Sequence, residues 1–114
     1  MRMTPLKIIE TTPGKFSLLL NAGTTAVDDL IEELGHEPGG YFWEGVAQLL
    51  VQTEAPELDG RFGYDPEASM FCAYGEDRGA LEQLGALMAA VANDPDRARR
   101  LVELAAAEGF EFDD

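Results

Sequence analysis

The chain has little of what most chemistries require. It carries one cysteine, Cys72, and one histidine, His36, among 114 residues. A lone cysteine excludes an intrachain disulfide, and one Cys with one His leaves too few ligands for a structural zinc site. Bases are scarce: eight Lys and Arg stand against 22 Asp and Glu, for a formal net charge of −14. A surface of that sign repels nucleic acid and anionic membranes and suits a cationic partner or simple solubility. No apolar run approaches the ~20 residues of a membrane span. The start, MRMTPLKIIE, has no apolar stretch of the secretory kind, so a cytoplasmic location is expected.

What is present is ordinary globular material. The hydrophobic fraction is 46% and the charged fraction 26%. A chain of this length buries roughly 65% of the surface its unfolded form exposes. One domain over residues 1–114 is expected, needing neither metal nor disulfide. The acidity is uneven. From Phe16 to Gly60 there is no Lys or Arg, while nine acids occur, among them Glu37, Glu44, Glu54 and Asp59. Arg97, Arg99 and Arg100 gather three of the bases near the end. Such a face is either a solvated surface or one matched to a basic partner, where charge speeds association.

The hydrophobic pattern gives an order of elements. Leu6–Glu10 and Phe16–Asn21 are strand-like, and Pro13-Gly14 between them is turn chemistry, so they form a hairpin. Thr25 and Asp28 resemble a capping box ahead of a helix whose apolar face holds Ala26, Val27, Leu30, Ile31 and Leu34. After the loop GHEPGG, residues 41–52 (YFWEGVAQLLVQ) read as a helix weakened by Gly45. Arg61–Tyr64 and Ala68–Tyr74 form a second hairpin turning at Asp65-Pro66-Glu67. Gly79–Ala92 is an amphipathic helix. Asp94-Pro95 starts another that runs to about Ala107 before Gly109. Phe110-Glu111-Phe112 alternates as a short last strand would. The expectation is an α+β single domain, an antiparallel sheet of four or five strands with about four helices on one face, in the order ββααββαα(β).

No catalytic constellation stands out. Cys72 lies in the apolar stretch MFCAY, where a thiol is usually a small buried hydrophobe. There is no Gly-x-Ser-x-Gly elbow. Gly75-Glu76-Asp77-Arg78-Gly79 precedes a helix but lacks the phosphate-binding lysine of a P-loop, and Asp77 suits the positive end of that helix. Carboxylates are too abundant for any pair to be singled out as acid and base. No metal or cofactor is expected. The aromatics say more. Tyr41, Phe42 and Trp43 are adjacent, so on a helix they cannot all face inward. Tyr64 and Tyr74 stand among Asp65, Glu67, Glu76 and Asp77, and tyrosine ringed by carboxylates is common at protein interfaces. Phe42 and Phe71 read as core, while Tyr41 and Tyr74 stay open between core and interface.

The segments ETTPGKFSLLLNAG, ELGHEPGGYFWEGVAQLL, ELDGRFGYDPEASMFCAYG and AEGFEFDD resemble the Immunity protein 51 family of bacterial polymorphic toxin systems. GYFWEG (Gly40 to Gly45) and DGRFGYDPEASMFCAYG (Asp59 to Gly75) are the most specific parts. The resemblance implies a protein that neutralises a cognate toxin by binding it, with no catalytic residue, and it transfers no contact residue. On that reading, Glu37, Tyr41, Glu44, Asp59, Asp65, Glu67, Tyr74, Glu76 and Asp77 are expected to meet a basic toxin, a cationic nuclease being one form. The chain itself is expected to be a monomer or weak homodimer. Two other classes stay open: an acidic binding module or DNA mimic not linked to a toxin, and a small enzyme working with carboxylates alone.

Overall fold

The computed structural model describes residues 3–112. Its elements follow the expected order: strands β1 (Lys7–Thr12) and β2 (Lys15–Asn21), helices α1 (Asp28–Glu33) and α2 (Gly40–Glu54), strands β3 (Gly63–Tyr64) and β4 (Met70–Gly75), helices α3 (Arg78–Ala92) and α4 (Pro95–Glu108). A 3₁₀ turn at Pro56–Leu58 follows α2. The four strands form one antiparallel sheet in the order β1-β2-β4-β3.

The β1–β2 hairpin turns at Pro13-Gly14, where Gly14 has a φ of 80° that a side chain would disfavour. Strand β2 then pairs with β4, Leu18 opposite Ala73 and Leu20 opposite Phe71. These four side chains are fully buried under the helices. Alternation sends Leu19, Cys72 and Tyr74 to the other face of the sheet. Helices α2 and α3 pack on the inner face and on each other, and α4 packs against α3 and α1. Trp43, Phe42, Val46 and Leu50 of α2 and Leu81, Leu84 and Met88 of α3 fill the space between. The Trp43 indole N–H is buried with no hydrogen-bond partner among the described residues.

Helix ends obey the capping chemistry in the sequence. Asp94 accepts hydrogen bonds from the N–H groups of Asp96 (3.0 Å) and Arg97 (3.4 Å), and Gly109 ends α4 in the left-handed region at φ 73°. Asp77 caps α3 through the Ala80 N–H at 3.0 Å. The first helix departs from expectation. It begins only at Asp28, capped by Val27 without a side-chain bond. The Thr25 hydroxyl donates to the Asp28 carboxylate instead, and it accepts weakly from the Val27 N–H at 3.3 Å, so this capping pair closes on itself. Ala26 is consequently exposed rather than part of the apolar face.

Two further expectations are corrected. The second hairpin reverses at Ala68-Ser69, not at Asp65-Pro66-Glu67: Glu67 bridges to Met70, and the Asp65 N–H donates to the Cys72 carbonyl at 2.9 Å. Pro66 has no N–H to give, so the ladder is interrupted there and β3 shrinks to two residues at the sheet edge. Phe110-Glu111-Phe112 is not a strand. The Phe112 ring stacks on Phe42 at 4.7 Å and takes His36 and Phe110 edge-on at 4.9 and 5.2 Å. It lies over Gly45, where any Cβ would collide with the ring. Gly45, unfavourable for the helix by itself, is the seat of the C-terminal aromatics.

That contact predicts a coupled pair of stability changes. Phe112→Ala should cost about 2 kcal/mol from lost burial and ring contacts. Gly45→Ala should be destabilising or neutral in the parent, yet stabilising by about 1 kcal/mol once Phe112 is Ala, because only then is the helix propensity of Ala realised. Urea denaturation of the four proteins measures this; additive effects would disprove the docking.

Candidate functional site

The nine residues singled out above fall on two sides of the segment 59–67. On the helix side are Glu37, Tyr41, Glu44 and Asp59. Gly39 and Gly40, opening α2, press directly on the backbone of Glu67, Ala68 and Met70. The shallow depression there, of 140 Å³, is lined by Glu37, Tyr41 and Ala68. Tyr41 is 41% exposed. Further along α2 a cleft of 480 Å³ opens between the helix and residues 56–64, lined by Gln48, Gln52, Pro56, Asp59 and Tyr64.

Tyr64 is the chemical centre of that cleft. It lies on the inner face, opposite Ala73, with its ring beside Phe62 and Phe71. Burial raises its phenol pKa first, and the negative charges of Glu44 and then Asp59 push it further, to about 12. Burial is the larger cause, and the two carboxylate charges add a negative contribution at the phenol. Such a site suits an ammonium or guanidinium group, with carboxylate, phenol and amide oxygens as acceptors. The sequence points to Glu44 and Asp59 as contacts and to Tyr64 only as a tyrosine among carboxylates, and it gives no sign of Gln48 or Gln52. Their signal is the polar stripe Tyr41, Glu44, Gln48, Gln52, spaced three to four residues apart along α2.

On the sheet side are Asp65, Glu67, Tyr74, Glu76 and Asp77. Tyr74 is 50% exposed on the outer face, with its ring leaning across Gly63. Asp77 is already engaged. It accepts from the Ala80 N–H and from Arg61 Nη1 at 2.8 Å, and these bonds hold its carboxyl below the usual carboxylate range. Beside it an open cleft of 610 Å³, whose lining includes Lys15, Phe16, Arg61, Tyr74 and Glu76, mixes both signs of charge. Arg78 sits over the Phe16 ring at 5.4 Å. Burial raises the Cys72 thiol pKa, so it is not an activated nucleophile. Among the described residues no group of three or more metal-ligating side chains is gathered. Among the described residues no helix is long and apolar enough to cross a membrane.

Fold and site together define a two-layer α+β protein with a carboxylate- and tyrosine-bearing helix side and an uncovered sheet face. The chain belongs to the Immunity protein 51 family, whose model matches residues 6–107. Of the closing segment AEGFEFDD only Ala107 lies within the match, so the Phe110 and Phe112 clasp falls outside it. No curated protein and no solved structure matches the chain.

Two titrations follow. Tyrosinate absorbance should show one phenol ionising near pH 12, absent from Tyr64→Phe and moved downward by Glu44→Gln. Because the native pKa is raised, the stability held by the neutral phenol is complete below about pH 10 and lost as pH climbs through the native value. Asp77 works the other way. Its native pKa is lowered, so the stability it confers is present above about pH 4 and lost as pH falls through the lowered value. Asp77→Ala should therefore lower the thermal midpoint at neutral pH by more than it does in acid.

Proposed function

We propose that this protein neutralises a cognate toxin inside the cell by binding it, and that the toxin meets the helix side through Glu37, Tyr41, Glu44 and Asp59. The observation that carries the reading is the cleft around Tyr64. Its lining joins the Tyr64 phenol, the Asp59 carboxylate and the Gln48 and Gln52 amides, with no Lys or Arg among them, and the Glu44 charge acts on the same phenol. A basic side chain of the toxin inserting there would exchange water for several charged and neutral acceptors. Tyr41, exposed at the start of the same helix, supplies an aromatic anchor beside it. The acidic field would steer a cationic toxin to this face, a nuclease being the toxin chemistry that such charge favours. The protein acts by occupying a surface, not by catalysis.

The sheet-side acids are a poorer fit to a basic partner. Asp77 is bound to Arg61 and to the α3 N-terminus. Lys15 and Arg61 share the cleft with Glu76.

The test is co-expression with the C-terminal domain of the protein encoded next to this one, read as cell survival and as affinity of the purified pair. Glu44→Lys with Asp59→Lys should abolish rescue and weaken the complex at least about 30-fold, since truncating one partner of a desolvated charge pair costs about 2–5 kcal/mol. Raising salt should slow association of the parent complex. An unchanged affinity in the double reversal, with the fold intact, would sink this mapping.

A further inference from the structure

We propose that the uncovered face of the sheet is a homodimer interface, in which two copies stack face to face about a two-fold axis running along the strands between β2 and β4. This goes beyond toxin binding and does not rest on it.

The register carries the argument. On the outer face one row crosses all four strands as Ile9, Ser17, Tyr74 and Gly63. The next row is Lys7, Leu19, Cys72 and Asp65, the last joined through its N–H to the Cys72 carbonyl. Glu67 and Asp65 add to the field at Cys72, as groups on the same face should. Leu19 and Cys72 are only half-buried there and Tyr74 is exposed, so among the described residues no helix covers this face. Two of the four large hydrophobic side chains most exposed on the molecule, Ile9 at 41% and Tyr74 at 50%, lie in one row of it.

The second row has opposite charges at its two ends. Lys7 and Asp65 sit three strand spacings apart, about 14 Å, so one copy cannot pair them. A two-fold axis along the strands lays β1 over the partner's β3 and β2 over the partner's β4. Lys7 then faces the partner's Asp65, and Leu19 faces the partner's Cys72. In the first row Ile9 comes over the partner's Gly63, where the partner's Tyr74 ring leans. Each row is thus complementary to itself when reversed, as an isologous contact demands. Aligned sheets stack about 10 Å apart in this way, their strands at a shallow angle. The patch measures about 20 by 20 Å, smaller than a standard stable interface, so the dimer should be weak and concentration-dependent.

The test is sedimentation of the full chain at about 0.15 M salt, where distant charges are screened. Weak self-association is expected, to be followed between about 10 µM and 1 mM, where dissociation free energies are about 4–7 kcal/mol. Lys7→Asp alone and Asp65→Lys alone should each weaken it at least about ten-fold, and the two together should restore it, since the pair is then reversed. A short bismaleimide should link Cys72 to the partner's Cys72 near the axis. Circular dichroism checks that each variant is folded. A monomer throughout this range, no cross-link, or a double variant no better than the singles would each overturn the dimer. If the free chain is monomeric and Tyr74→Glu instead weakens the complex with the toxin, the face belongs to the toxin and the proposal fails.

Discussion

The structure turns on one close approach, between the first residues of α2 and the turn that links β3 to β4. The Gly40 N–H donates to the Ala68 carbonyl at 3.2 Å. A Cβ at Gly40 would collide with the carbonyls of Glu67 and Met70. Only glycine lets the helix lie this low on the hairpin. From that seat the heading of α2 follows, and with it the fate of three consecutive aromatics. Phe42 and Trp43 drop into the core, while Tyr41 stays at the surface. One turn on, Glu44 is carried to within electrostatic reach of Tyr64. Lifting the helix by a methyl group would loosen the core and widen the cleft together, so packing and the candidate site share one constraint. Gly45 repeats the logic on another face of α2, where Phe112 is the object that must fit.

Much of this was legible in the residues, and the reasons for the exceptions are physical. Start and stop signals with a single structural meaning read correctly: Asp94-Pro95 and Gly109 bound α4, and Pro13-Gly14 turns the first hairpin. Signals with two meanings did not. Asp65-Pro66-Glu67 has turn composition, yet its Asp and Glu keep ladder contacts and only Pro66 breaks them, which moves the reversal to Ala68-Ser69. Phe110-Glu111-Phe112 alternates as a strand does, but alternation records only that two rings point one way. Those rings found Gly45 and Phe42 rather than a sheet edge. The Thr25 and Asp28 pair satisfied itself before it could cap a helix. For the candidate site, Glu44 and Asp59 stood out by charge. Tyr64 did not, because what distinguishes it is a tertiary neighbourhood assembled from residues up to 20 positions away.

Three of the eight cations hold elements together. Arg97 binds both oxygens of Glu54 at 3.1 and 3.0 Å, tying α4 to the end of α2. Arg61 ties the loop before β3 to the cap of α3. Arg78 lies over Phe16 and reaches Glu82 at 3.8 Å. Exposed pairs like these add little stability each, about 0–1 kcal/mol. Their consequence is spatial. Arg61 and Arg78 lie at the sheet end, Arg97 at the end of α2, and the cleft between α2 and residues 56–64 has none in its lining. The charges of Glu44 and Asp59 act on Tyr64 with no cation in the cleft lining to offset them.

That separation answers an objection to self-association by a chain of net charge −14. Repulsion between copies depends on the charges near the contact, because exposed charges further apart than a Debye length, about 8 Å at physiological salt, hardly interact through solvent. The molecule is 25 Å across its shortest axis, and the base-free acidic run includes all of α1 and α2, on the opposite side of the sheet from Ile9, Leu19 and Tyr74. At the outer face Lys7 lies in one row with Asp65, Leu19 and Cys72 between them carry no charge, and Glu67 in the next row is the acid left unbalanced. Two copies meeting there would encounter a partly apolar surface with few charges, while under the proposed function a basic toxin would be drawn to the other side. The two proposed contacts would use different physics and different residues, so such a dimer would present two acidic helix sides outward at once.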